Sequence, residues 1–168
     1  VARLPGVSIE VGQLRNYPLG EKAGHLTGYV GRIAEEDMAE LPENYARLTS
    51  AKIGKNGLEK AFDPALRGAP GVRRLEVNVR GLAIREIKQQ QPDPGETLRT
   101  TIDSDLQRYV AERLGEESGA ILCMHADTGA VRAFTSMPAY DPNRFSRGIG
   151  VEYWDTLRND KRSPLLNK

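Results

Sequence analysis

Residues 89–96 read Gln-Gln-Gln-Pro-Asp-Pro-Gly-Glu, and this tract limits what the chain can fold into. It is polar and aperiodic, and each proline removes a backbone donor and fixes its own φ. No regular helix or central strand runs through such a stretch, so each side must bury its own apolar residues. A length of 168 residues accommodates one ordinary domain or two small ones. The tract is therefore the natural boundary, dividing the chain into 1–91, a linker at 92–96, and 97–168.

On the N-terminal side, Val7, Ile9 and Val11 alternate with Ser8 and Glu10, the period of a half-buried strand. Tyr17-Pro-Leu-Gly20 and Gly28-Tyr-Val-Gly31 follow as turn-rich punctuation. Ala34–Leu41 (AEEDMAEL) predicts a short helix closed by Pro42. Residues 53–67 predict a second helical region starting at Asn56 or Gly57. Leu58, Phe62 and Leu66 would share one face, Pro64 would force a break, and Gly68 would end it. From Val72 to Ile87 the period changes to two. Arg80-Gly81 falls between the halves, predicting a β-hairpin on which Arg73 and Arg74 form a solvated strand face.

On the C-terminal side, Leu98, Thr100 and Ile102 alternate as a strand. Asp103 stands where a helix N-cap belongs, and Leu106, Val110 and Leu114 form a stripe that Gly115 ends. Ala120–Met124 and Val131–Phe134, joined through Asp127-Thr-Gly129, predict a second hairpin. The tail from Pro138 to Lys168 has turn signals at Asp141-Pro-Asn143, little periodicity, and too few apolar residues to cover that hairpin. The hairpin is therefore expected to be disordered or covered by a neighbouring copy. The class predicted is α+β: an elongated, β-rich front followed by an incomplete strand-helix-hairpin unit.

The residues give little support to catalysis. No serine is followed by lysine at the third position, and Gly-x-Ser-x-Gly, Ser-x-Asn and Lys-(Ser/Thr)-Gly are absent. His25 and His125 are the only imidazoles, and with the single Cys123 they offer no zinc spacing. Cys123 lies in an apolar run and reads as a buried, inert thiol. Asp103-Ser-Asp and Asp141-Pro-Asn lack the remaining spacing of a calcium loop. Gly54-Lys-Asn-Gly57 lacks the phosphate-loop spacing. No cofactor or metal is expected. Lys+Arg 24 against Asp+Glu 23 leaves no basic surplus for nucleic acid. No stretch reaches the length of a membrane span.

Several stretches in order resemble one family. Arg15-Asn-Tyr-Pro-Leu-Gly20 and His25-Leu-Thr-Gly-Tyr-Val-Gly31 resemble the R-x-Y-P-x-G…A-H-L-x-G-Y-V-G signature of class B penicillin-binding proteins. The resemblance is strongest to the elongation type, often called penicillin-binding protein 2. Gly54-Lys-Asn-Gly-Leu-Glu59 with Leu66-Arg-Gly68 is similar to that family's GKxGLE…LRG segment. Thr101-Ile-Asp103 with Leu106-Gln107, Asp127-Thr-Gly129 and Met137-Pro-Ala-Tyr-Asp-Pro-Asn-Arg-Phe145 resemble the opening of its transpeptidase domain. Gly24 departs from the alanine usual before the histidine, a change expected to alter nothing essential.

The resemblance implies a dimerisation-type pedestal at 1–91 and the start of a transpeptidase domain at 97–168. The chain ends short of the family's nucleophilic serine, and its start at Val1 is expected to reflect a trimmed membrane anchor. It implies a non-catalytic part of a D,D-transpeptidase that cross-links peptidoglycan during elongation, on the periplasmic side of the inner membrane. The implied partners are a SEDS-type glycosyltransferase and elongation scaffold proteins, with a possible dimer. Stem peptides and β-lactams concern only the complete protein. The alternatives are a stand-alone interaction module or the division-type paralogue. The motif residues Arg15, Tyr17, Pro18, Gly20, His25, Gly28, Tyr29, Gly31, Gly57, Glu59, Arg67 and Gly68 are the candidate partner contacts.

Overall fold

The computed structural model describes residues 14–42, 45, 51–81 and 83–168; the strand expected at Val7–Val11 lies outside them. Its sheets are two-stranded antiparallel pairs: β1 (Val30–Arg32) with β2 (Lys52–Gly54), β3 (Val72–Val77) with β4 (Ala83–Gln90), and β5 (Gly119–Met124) with β6 (Val131–Met137). The helices are α1 (Gly24–Thr27), α2 (Gly57–Ala61), α3 (Asp63–Arg67), α4 (Ser104–Leu114), α5 (Pro142–Arg147) and α6 (Val151–Asn159), with 3-10 turns at Gly20–Ala23 and Glu35–Glu40. The class is α+β, as the sequence predicts.

α4 forms where its caps stand. The Asp103 carboxylate accepts from the amides of Asp105 and Leu106 at 3.0 and 3.1 Å, satisfying first-turn donors. Gly115, at φ +54°, supplies the left-handed stop. The buried line of this helix is Gln107, Val110 and Ala111, packed on β6, whose Ala133, Thr135 and Ser136 are buried. The expected stripe is thus rotated to include a glutamine. The β5–β6 hairpin runs from Gly119↔Met137 to Met124↔Val131. The hairpin is ordered within the single chain: α4 covers one side, while Leu122 and Met124 project from the other into solvent. Cys123 is half-buried rather than buried.

Three other expectations change. Residues 98–102 join no strand ladder, because the Thr101 hydroxyl and the Asp103 amide bond instead to the carbonyls of Val131 and Arg132, at 2.6 and 2.8 Å. The tail contains two helices. Asp141 caps α5 by accepting from the Asn143 amide at 2.9 Å, and Pro142 fits the first turn, where no amide is needed. Ala34–Leu41 forms only a 3-10 turn, started by the Asp37 carboxylate accepting from the Ala34 amide at 2.6 Å.

The region 53–67 divides as Pro64 requires. Its first residues belong to β2, α2 ends at Ala61, and α3 restarts at Asp63 with proline in its first turn. The restart breaks the expected Leu58–Phe62–Leu66 face, leaving Phe62 exposed and Glu59 buried. The β3–β4 hairpin closes through Gly81 N–H donating to Asn78 O at 2.9 Å, with Arg73 and Arg74 exposed. The polar tract is not a free loop. Gln89 and Gln90 belong to β4, Asp93 exchanges backbone bonds with Ala69 at 2.9 and 3.0 Å, and Gly95 lies against the Leu66 carbonyl.

The core lies where the front segment meets the second unit. Gln107, fully buried, donates from Nε2 to the carbonyls of Lys22 and Phe134, both at 2.7 Å, and accepts from the Phe134 amide at 2.8 Å. Its primary amide completes the edge of β6 and ties it to the 3-10 turn at Gly20–Ala23. Among the described residues no helix is long and apolar enough to cross a membrane.

Candidate functional site

The motif residues of the front segment gather around Tyr17. This side chain is buried, and its hydroxyl donates to Glu59 Oε1 at 3.1 Å while accepting from the Val30 amide at 3.1 Å. Arg15 closes on the same carboxylate, Nε to Oε1 at 3.1 Å, and its Nη2 donates to the Leu66 carbonyl at 2.8 Å. A carboxylate as buried as Glu59 requires such partners. Burial, reinforced by the Glu59 charge, pushes the Tyr17 phenol well above its ordinary range. The group is a fixed neutral donor. The Tyr17 backbone is held as firmly: Asn143 accepts from its amide and donates to its carbonyl, both at 2.9 Å.

Behind this brace, glycine allows close approach at two crossing points. A Cβ on Gly28 would lie 1.8 Å from the Asn56 carbonyl oxygen, and one on Gly57 would lie 2.5 Å from the Gly28 nitrogen. Both glycines have positive φ, +70° and +59°. Gly24 is similarly crowded, its missing Cβ 2.4 Å from the Tyr140 carbonyl oxygen. The departure from alanine there has structural weight, contrary to expectation.

His25 and Tyr29 meet the second unit through an aromatic group. His25 stands edge-on to Tyr140 at 5.1 Å, Tyr29 approaches Tyr140 at 5.7 Å, and Tyr29 tilts over Phe145 at 4.3 Å. Burial lowers the His25 pKa and raises that of Tyr140 to about 12, so both are neutral at pH 7. Arg67 lies 4.4 Å over the Tyr45 ring and 3.4 Å from Asp63, and Gly68 follows at φ +68°. Gly31 packs against the Lys55 stem, 3.1 Å from the nearest methylene to its missing Cβ.

Five of the twelve candidate residues, Arg15, Tyr17, Pro18, Gly20 and Glu59, line one cleft of about 280 Å³. Leu19, Leu58 and Leu66 give it apolar walls. His25, Gly28, Tyr29, Gly31, Gly57, Arg67 and Gly68 lie outside its lining. The sequence did not single out Asn143 or Gln107 as anchors of this region. Their partners lie 126 and 85 residues away, and no local spacing encodes those pairings. The cleft contains no nucleophile–base pair; its chemistry is that of an apolar recess rimmed by a satisfied ion pair.

A braced, glycine-crossed front segment is thus followed by a helix-on-hairpin unit. The family model for the penicillin-binding protein dimerisation domain matches residues 1–100, and the chain belongs to that family. Among its relatives, peptidoglycan D,D-transpeptidase MrdA of Escherichia coli is 36% identical over 171 residues, covering 99% of this chain and 27% of the relative. The chain thus spans about a quarter of the length of the curated relatives it matches. Penicillin-binding protein 2 of Helicobacter pylori, solved in a complex with MreC, is 32% identical at a TM-score of 0.74, covering 92% of this chain and 28% of that one. Penicillin-binding protein 2 of Pseudomonas aeruginosa, solved with the compound WCK 5153, is 33% identical at 0.73, covering 92% and 30%.

Proposed function

We propose that this chain is a pedestal, a non-catalytic part of a peptidoglycan D,D-transpeptidase, and that its cleft docks an elongation scaffold protein. The observation that carries the reading is the convergence of Arg15, Tyr17, Pro18, Gly20 and Glu59 on one apolar-walled cleft. Its charged groups, Arg15 and Glu59, are already paired with each other, so an apolar side chain can enter without stranding a charge. The complex of the Helicobacter pylori neighbour with MreC supports a scaffold of that kind as the occupant. The MrdA relatives favour the elongation role over the division one.

In the complete protein a serine outside this chain would attack the D-Ala–D-Ala amide of a stem peptide, and β-lactams would acylate that serine. The pedestal, bounded at 1–91 with its linker at 92–96, would stand on the periplasmic side of the inner membrane and also meet a SEDS-type glycosyltransferase. The test is capture of a purified MreC-type scaffold by this chain. Leu19→Asp should weaken capture roughly tenfold by placing a charge in the apolar wall. Unchanged capture by a folded Leu19→Asp chain rules out the cleft.

A further inference from the structure

The β3–β4 hairpin ends in an apolar tip flanked by positive charge. Asn78-Val-Arg-Gly81 forms the turn. Asn78 shapes it by accepting from the Arg80 amide at its side chain and from the Gly81 amide at its carbonyl, both at 2.9 Å. Val79 is thereby held outward and is fully exposed. Among the described residues, nothing beyond its chain neighbours lies within 4 Å of where a Cβ on Gly81 would stand. The hairpin contains two register shifts, each putting the extra residue on β4, and both extra residues are isoleucine: Ile84 between Arg85 and Ala83, and Ile87 between Lys88 and Glu86. A bulge takes its extra residue out of the ladder and re-aims the side chain. Ile84 and Ile87 are 62% and 63% exposed, and Val77, beside the tip, is 54% exposed.

The charges around these residues have one sign in excess. Residues 72–90 hold Arg73, Arg74, Arg80, Arg85 and Lys88 against Glu76 and Glu86, in a chain whose net charge is only +1. Arg85 is paired with Glu76 at 2.5 Å, but Arg74 stands directly opposite Lys88 in the ladder. Like charges opposed across two strands destabilise the pair, and an anionic surface offsets that cost. We propose that this hairpin docks on an anionic lipid bilayer, Val79 dipping among the acyl chains while Arg80 meets the phosphate headgroups and Arg74 and Lys88 stand within reach of their charge. An apolar tip beside arginine suits an interface with an oily side and a charged side, because the long stem packs on apolar surface while the guanidinium stays in water. An acidic protein segment would use the cations but would gain little from one projecting valine. A short tip and a few cations give weak, salt-sensitive attachment.

Lipid docking is independent of the cleft, and its test uses the whole 168-residue chain with vesicles. At about 0.1 M salt the chain should co-sediment with vesicles containing about one-third phosphatidylglycerol and not with vesicles of phosphatidylcholine alone. Salt at about 0.5 M should release it. Val79→Asp and Arg80→Glu should each weaken binding roughly tenfold, the first by removing the apolar anchor and the second by reversing a headgroup contact. Both positions are exposed, and circular dichroism of each variant checks the fold. Val79→Trp should still bind, and its fluorescence should shift to the blue on the anionic vesicles, whereas Trp154 of the parent chain should not shift. That difference separates insertion from charge attraction alone. No binding to the anionic vesicles, or binding that Val79→Asp leaves unchanged, overturns the proposal. So does equal binding to polyglutamate that Val79→Asp does not weaken, which would make an acidic protein segment the occupant. Scaffold capture should be unchanged in Val79→Asp and Arg80→Glu, which distinguishes failure here from failure of the cleft reading.

Discussion

Replacing Gln107 with alanine should loosen the front segment from the second unit more than any other single change in α4. The side chain is fully buried and makes three hydrogen bonds of 2.7, 2.7 and 2.8 Å. At about 1 kcal/mol net each, their loss costs about 3 kcal/mol. The amide-sized void and the backbone groups left unpaired bring the total to about 4 kcal/mol. Gln107→Glu separates the polar contribution from the packing. Its carboxylate keeps the volume but donates nothing to the Lys22 and Phe134 carbonyls at neutral pH. Burial raises the pKa of that glutamate above its unfolded value, so the deficit shrinks as pH falls and the acid regains one donor. Urea titration followed by circular dichroism and Trp154 fluorescence measures both variants. A loss below about 1 kcal/mol for Gln107→Ala, or a Gln107→Glu deficit that ignores pH, would refute the clamp.

Tyr17→Phe should cost about 1–2 kcal/mol, because the Val30 amide and one Glu59 lone pair lose their partner. Tyr17 has a folded pKa above its unfolded value near 10, so its stabilisation is complete below pH 10 and fades as pH rises further. Stability of the Tyr17→Phe chain should therefore fall less steeply above pH 10 than that of the parent, as alkaline thermal melts would show. A parallel decline in the two chains would contradict the neutral, buried phenol. Gly28→Ala, forced to φ +70° with its methyl 1.8 Å from the Asn56 carbonyl oxygen, should destabilise by about 3 kcal/mol or prevent folding; a stable, soluble variant in a thermal-shift assay would disprove the crossing.

What the sequence revealed was local. Asp103 and Gly115 bracket α4 as cap rules require, Pro64 divides α2 from α3, and Gly81 turns the first hairpin. Each depends on backbone groups within a few residues. What it concealed was relational. Thr100 and Ile102 alternate like strand residues, but alternation describes which way side chains point and does not supply a neighbouring ladder. α5 and α6 are short and capped by a turn aspartate and a glycine, so the tail read as irregular. Gln107 sits in an apolar stripe as an apparent flaw, and only the three-dimensional arrangement shows that it reaches Lys22 and Phe134. The candidate site was legible as motif residues. Which five share a cleft depended on the long-range contacts of Arg15 and Tyr17 with Glu59.

The span of the clamp determines when the chain can fold during synthesis. Lys22 awaits Gln107, 85 residues later, and Tyr17 awaits Asn143, 126 residues later. On the ribosome, translated at about 5–20 residues per second, the front segment waits several seconds after it emerges for these two contacts. Among the described residues β3 and β4 pair with each other, and such a hairpin closes in microseconds. The β3–β4 hairpin is thus complete before Lys22 can meet Gln107 or Tyr17 can meet Asn143, and the surfaces those contacts cover remain open to chaperones in that interval.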